Sequence, residues 1–258
     1  MSLDNLRKPQ VGIPWRTRQE ESRQQMDKLR YYFERVREAG AAPVHMSLLA
    51  PEKELERQFQ QLDGFVLPGS PADVDPGLYG AARHAKTVNL DPDRDRTDLA
   101  ALAHAVKAGK PVFAICYGCQ ILNVFRGGTL IQDIAAERAG SLPHGKTDAS
   151  SGAATGDLEH PARLASGSRL EKLAGTCDVV INSSHHQAID KPGNNLAVTC
   201  LAKDGIIEGV EWIDDAHWIV GAQWHPERMP QDALAQRLFQ DFVAAVASRL
   251  HATAGERS

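Results

Sequence analysis

Apolar and polar positions along the chain fall into short strand-like runs separated by helical stripes. Gln10 to Trp15 is a mostly apolar run of strand length, and Met26, Leu29, Phe33 and Val36 then recur at helical spacing until Gly40 interrupts them. Pro43 to Leu48 gives a second strand, and a charged helix follows from Pro51 to Gln61. Gly64-Phe65-Val66-Leu67 is apolar throughout and closes on Pro68-Gly69-Ser70, which is turn chemistry. Leu99, Leu102, Ala103 and Val106 mark one face of a further helix, after which Val112-Phe113-Ala114-Ile115 is again a fully apolar strand. Strands that alternate with helices, and are apolar on both faces, predict a parallel sheet covered by helices on either side. The expected class is α/β, a three-layer sandwich around a central, mostly parallel sheet.

Two stretches break this rhythm. Pro71 to Arg96 is rich in Pro, Gly and Asp without an apolar period, and predicts a long surface loop beside the end of the third strand. From about Ser168 strands come closely spaced, at Val179 to Asn182, Leu196 to Ala202, Ile207 to Ile213 and Trp218 to Trp224, and predict added antiparallel or mixed strands in the C-terminal half. A last helix carries Ala235, Leu238, Phe239, Phe242 and Val246 on one stripe, with a loose tail after His251. Ala149 to Gly156 is small and polar, either a flexible loop or a weak boundary between the halves. One domain is expected over residues 1–258, with an ordered core from about residue 8 to residue 249.

Composition narrows the partners more than the activity. Hydrophobic residues make up 42% and charged residues 24% of the 258, as in ordinary globular chains. A formal net charge of -4 lacks the basic excess that drives phosphate-backbone binding, so no nucleic-acid partner is expected. No apolar run approaches the roughly 20 residues needed to span a bilayer. Met1 to Gln10 is polar rather than signal-like, so no membrane partner and a cytoplasmic location are expected. The four cysteines, at 116, 119, 177 and 200, do not form the framework of a secreted disulfide scaffold.

One cysteine stands where chemistry is made. Cys116 follows a buried strand and precedes an amphipathic helix, Gln120 to Phe125, at a sharp turn of the nucleophile-elbow kind. Such a turn exposes the sulfur at the carboxyl edge of the sheet, and the helix N-terminus favours the thiolate. A thiol nucleophile needs a base, and Trp224-His225-Pro226-Glu227 supplies one directly after another apolar strand. Parallel strands bring their carboxyl ends to one edge, where Cys116 and His225 can converge.

Ala114-Ile115-Cys116-Tyr117-Gly118-Cys119-Gln120 and Gly127-Gly128-Thr129-Leu130 resemble the elbow region of class I glutamine amidotransferase-like proteins, whose fold is flavodoxin-like. His225-Pro226-Glu227 resembles their His and Glu. Asn182-Ser183-Ser184-His185-His186-Gln187 is similar to a segment of the γ-glutamyl hydrolase branch, the peptidase C26 proteins, hydrolases of γ-glutamyl-γ-aminobutyrate among them. The resemblance implies a Cys116, His225 and Glu227 triad, oxyanion donors at the backbone of Gly69 and Tyr117, and substrate contacts from Gln120 and His186. It implies hydrolysis of a small-molecule γ-glutamyl amide through a γ-glutamyl thioester. Tyr117 after the nucleophile also resembles the glutaminase parts of biosynthetic amidotransferases, so a glutaminase that delivers ammonia to a partner synthetase is an alternative. A redox protein using Cys116-Tyr117-Gly118-Cys119 and a catalytically silent binding module are others. No cofactor is expected, since Gly127-Gly128 follows a helix rather than opening one, and no metal, since no third ligand with recognisable spacing accompanies the pair His185-His186. Homo-oligomerisation is left open.

Overall fold

The computed structural model describes residues 7–147, 154–214 and 217–255. Five strands form a parallel half-sheet: β1 (Gln10–Pro14), β2 (Ala42–Met46), β3 (Gly64–Leu67), β4 (Val112–Ile115) and, far along the chain, β13 (Ile219–Ala222), in the order β2-β1-β3-β4-β13. The sheet then continues in antiparallel fashion through β12 (Ile207–Trp212), β11 (Leu196–Ala202), β8 (Leu158–Leu164) and β9 (Asp178–Ser183). Two short strands, β5 (Thr129–Ile131) and β10 (Ala188–Lys191), pair with each other and reach this sheet through β12. A separate hairpin joins β6 (Lys146–Thr147) to β7 (Ala154–Gly156). The mixed sheet agrees with the sequence reading. Of the stretch 149–156, residues 149–153 lie outside the described residues.

The period-two geometry of a strand sorts the core into two layers. Val66, Phe113, Ile115 and Val220 face α2 (Leu29–Glu38) and α8 (Ala233–Gly255), which contribute Leu29, Phe33, Val36, Leu238, Phe239 and Phe242. Phe65, Leu67, Val112, Ala114 and Ile219 face the other way, onto α3 (Glu52–Gln61), α4 (Pro92–Ala108) and α5 (Tyr117–Phe125). The remaining helices, α1 (Arg18–Ser22), α6 (Ile134–Glu137) and α7 (Arg169–Ala174), are short.

Three elements depart from expectation. The loop expected from Pro71 to Arg96 contains a 3-10 turn, Pro76–Tyr79, and ends early, because α4 begins at Pro92 with Asp91 capping it through Arg94 N. The first turns of α4 turn Arg94, Asp95, Thr97 and Asp98 inward, so the buried face is polar and carries no apolar period. Strand β8 is hidden in the sequence because Pro161 stands in its middle. Its pairing with β11 runs only from Ala162 to Leu164, so Pro161 lies beyond that ladder and withholds no bond from it. The last helix runs on to Gly255, past His251.

Candidate active site

Strands β3, β4 and β13 are neighbours, and their register sets Leu67 beside Ala114 and Ala222 beside Ile115. All three therefore end at one level, and the residues that follow them, Gly69, Cys116 and His225, emerge side by side. How close they come is measured by what a methyl group at Gly69 would meet. A Cβ there would lie 2.7 Å from His225 Cε1 and 3.2 Å from Cys116 Cβ. Glycine at 69 is thus dictated by convergence of the site rather than by the turn alone.

Cys116 has φ +52° and ψ -106°, a backbone conformation that side-chain-bearing residues avoid and that costs on the order of 1–3 kcal/mol. Its N–H donates to Ala222 O at 2.7 Å and its carbonyl accepts from Gln120 N at 3.1 Å, so strand and helix fix the turn from both sides. Gly118 lets α5 begin this close to the sheet, since a Cβ there would fall 2.3 Å from Leu67 O. Tyr117, first in the helix, has an N–H with no intrahelical carbonyl to bind. The Tyr117 hydroxyl donates to Asp95, and the Arg94 guanidinium lies 4.7 Å from the centre of its ring.

His225 is buried and held at both ends. Its Nδ1 lies 2.8 Å from Glu227 Oε1. Its backbone is gripped by Asn182, which accepts from His225 N at 2.9 Å and donates to His225 O at 3.0 Å. Burial would lower the His225 pKa, but the Glu227 charge and then Cys116 outweigh it and lift it to about 9. Glu227 is fully buried; burial would raise its pKa, yet the His225 charge prevails and holds the carboxyl below its ordinary range. Arg228 Nε lies 3.3 Å from Glu227 Oε1, adding a second positive charge.

The remaining expected residues divide. Gly69 lies at the same sheet edge, and its N–H donates to the Tyr32 hydroxyl at 3.0 Å. Burial, and then the neighbouring Glu227 charge, push the Tyr32 pKa well above the ordinary range and keep the hydroxyl protonated. Gln120 lies one helical turn behind Cys116, where its amide nitrogen donates to Gln187 O at 3.1 Å and Gln223 Oε1 at 3.3 Å. His186 is pinned between two acids, Nε2 at 2.8 Å from Asp73 Oδ1 and Nδ1 at 3.3 Å from Asp133 Oδ2. Both of its ring nitrogens thus face carboxylates. Cys119 faces the sheet: its Sγ lies 2.8 Å from where a Gly221 Cβ would stand, and burial pushes its thiol well above the ordinary range. All four cysteines are free.

Tyr32 and Asn182 are the residues the sequence does not single out for these roles. Tyr32 is one turn of an apolar helical stripe and carries no signal that separates it from core. Asn182 lies inside a conspicuous segment, but only the fold shows that it grips His225. No helix among the described residues is long and apolar enough to cross a membrane.

Comparison with known proteins places this geometry in context. The family model for Peptidase C26 matches residues 9–227. The chain is 32% identical over 209 residues to protein NtpR of Enterococcus hirae, covering 81% of this chain and 84% of that one. It is 32% identical over 217 residues to the γ-glutamyl-γ-aminobutyrate hydrolase PuuD of Escherichia coli K12, covering 83% and 84%. A Mycobacterium tuberculosis protein described as a glutamine amidotransferase is 36% identical over 218 residues, covering 83% and 66%. Among solved structures, a GMP synthase component from Thermoplasma acidophilum superposes with a TM-score of 0.65 over 96% of this chain and 99% of that one, at 12% identity, a likeness of fold.

Proposed function

The chain belongs to the peptidase C26 family of glutamine amidotransferase-like hydrolases, and on that premise we propose that it cleaves γ-glutamyl amides of small amines, with Cys116 as nucleophile, His225 as acid and base, and Glu227 as the group that orients His225. The observation that carries the reading is the convergence of Cys116, Gly69 and His225 at the ends of three adjacent parallel strands.

In this reading the Cys116 thiolate attacks the γ-carbonyl carbon, and the π electrons move onto oxygen. The Tyr117 N–H, with the Gly69 N–H released from or shared with Tyr32, meets the oxyanion; losing one such donor typically costs on the order of a hundredfold or more in rate. His225, protonated at neutral pH by virtue of its raised pKa, passes its proton to the departing amine as the C–N bond breaks. A γ-glutamyl thioester remains on Cys116. His225, now neutral, takes a proton from water, hydroxide adds to the thioester, and collapse releases glutamate and the thiolate.

The relatives named for γ-glutamyl-γ-aminobutyrate hydrolysis support this substrate class. The test is glutamate release by the purified chain alone from γ-glutamyl-γ-aminobutyrate, other γ-glutamyl amines and glutamine, beside Cys116→Ala. Release from a γ-glutamyl amine that Cys116→Ala abolishes supports the reading. Turnover of glutamine alone replaces it with an ammonia-supplying glutaminase, and turnover that survives Cys116→Ala ends it.

A further inference from the structure

Behind the candidate active site three histidines and one glutamate meet in the interior. His144 precedes β6, His160 lies in β8, His185 follows β9 and Glu208 lies in β12; their side chains are between 0% and 6% exposed. Glu208 Oε1 stands 3.0 Å from His144 Nδ1, 3.4 Å from His160 Nε2 and 3.4 Å from His185 Nε2. The ligand atoms of His144, His160 and Glu208 all lie within 4.8 Å of one another.

These contacts fall short of well-formed hydrogen bonds. Among the described residues, both Glu208 oxygens, His160 Nε2 and His185 Nε2 lack a hydrogen-bond partner. A fully buried carboxylate without one is costly and calls for a cation beside it. The opposite ring nitrogens, by contrast, are all engaged by groups that can only accept. His144 Nε2 lies 3.0 Å from Asp204 Oδ2, His160 Nδ1 3.2 Å from Pro161 O, and His185 Nδ1 2.9 Å from Gln187 O. Each acceptor fixes a proton on its own side of the ring, so in its neutral form each imidazole presents a bare lone pair to the space around Glu208. The Ser183 hydroxyl, 3.4 Å from His144 Nδ1, gives its proton to His144 O at 2.7 Å and leaves that lone pair free. A carboxylate or backbone carbonyl behind each histidine is how metal-ligating histidines are held.

The spacing fits the same chemistry. Bonds of about 2.0–2.2 Å to nitrogen and oxygen, arranged tetrahedrally around zinc, set the ligand atoms about 3.3–3.6 Å apart. Two of the three separations from Glu208 Oε1 fall in that range and the third is slightly shorter, while the ligand atoms of His144, His160 and Glu208 together spread to 4.8 Å and must draw in around the ion. We propose that His144, His160 and Glu208 hold a structural zinc ion and that His185, whose Nε2 stands 3.4 Å from Glu208 Oε1 beside that tighter group, closes the fourth position when the site contracts around the metal. Four protein ligands leave no open position, which separates a structural from a catalytic zinc. The ion ties the loop before β6 to β8, β9 and β12. It thereby braces the scaffold under His225, since Asn182 lies three residues before His185 and Gln223 N donates to Glu208 O at 2.8 Å.

The experiment uses the whole chain and its Cys116→Ala variant, purified from zinc-replete medium and assayed for metal by mass spectrometry. One zinc per chain is expected in both. After removal with a strong chelator under mild denaturant, refilling with cobalt(II) should give the intense visible bands of a tetrahedral site without thiolate charge transfer in the near ultraviolet. Asp204→Asn, which keeps all four ligands, should weaken zinc binding about ten- to a hundredfold, a loss that a merely packed His144 would not produce. His160→Gln should retain no stoichiometric zinc; if it fails to fold, Asp204→Asn still decides. Wild-type chain that holds no zinc and shows no thermal shift on adding it overturns the proposal, as does metal that disappears in Cys116→Ala.

Discussion

Replacing Gly69 by alanine tests the convergence on which the functional reading rests. The backbone at 69 does not lie in the left-handed region, so alanine brings no conformational penalty and the perturbation is purely steric. The new methyl would stand 2.7 Å from His225 Cε1, about 1 Å inside ordinary carbon contact of about 3.5–4.0 Å, and 3.2 Å from both Cys116 Cβ and the Tyr32 hydroxyl. None of these can give way freely. His225 is gripped by Asn182 and Glu227, Cys116 is fixed between β4 and α5, and Tyr32 is buried. Overpacking of this kind costs about 1–3 kcal/mol, or on the order of 2–12 °C in Tm for a chain of this size. The larger effect is on rate, because a displacement of about 1 Å between nucleophile and base costs on the order of a hundredfold. Glutamate release, and alkylation of Cys116 by iodoacetamide as a readout independent of substrate, should both fall, with circular dichroism reporting the fold. Wild-type rates in a folded Gly69→Ala chain would refute the argument, since the three residues could not then be as close as described.

Glu227→Gln removes the largest influence raising the His225 pKa and leaves burial to lower it, so the alkaline limb of kcat/KM, near pH 9 in the wild type, should move toward neutral. The same pair sets a stability window: with a folded pKa of about 9 against an unfolded value near 6.5, the His225 contribution is complete below about pH 6.5 and lost as pH rises through 9, and denaturation series over that range should show this loss in wild type but not in Glu227→Gln. Cys116→Gly and Cys116→Ala should both be inactive, but glycine relieves the positive φ and should melt higher, by on the order of 1 kcal/mol in a denaturant titration. Arg94→Lys cannot reproduce the bonds of the buried guanidinium to Asp98, Arg16 O and Pro68 O, and should destabilise by about 3–5 kcal/mol while slowing turnover through the displaced Pro68-Gly69 segment.

What could be read from the sequence follows from how each feature is encoded. The parallel half-sheet is spelled in apolar runs such as Gly64–Leu67 and Val112–Ile115, because a strand covered on both faces must be apolar at every position. Cys116 and His225 are legible for the same reason: each closely follows such a run, so locating the strand end locates the residue. Features encoded by buried polar groups are not. The N-terminal half of α4 turns Arg94 and Asp98 into the interior, where their charges satisfy each other and the backbone carbonyls of the loops after β1 and β3, and the sequence there has the composition of a loop.

The histidine cluster is the extreme of that rule. His144, His160, His185 and Glu208 come from four separate segments, two strands and two loops, and each is a single polar residue whose neighbours in sequence have other work: His160 sits beside Pro161 in a strand that proline disguises, and His185 beside His186, which is drawn off to Asp73 and Asp133. Metal motifs are recognised by short spacing because two ligands on one turn or helix face stay together in any fold. Here the antiparallel pairing of β9 with β8, β8 with β11 and β11 with β12 brings the strands that carry or precede His160, His185 and Glu208 together, so the expectation of no metal rests on a signal that the proposed site, assembled across a sheet, would not emit. The candidate active site and the cluster are then two products of one arrangement: β13, which leads into His225, pairs with β12, which carries Glu208, and a bond from Gln223 N to Glu208 O joins them. Loss of the cluster should therefore loosen His225 before it unfolds the chain.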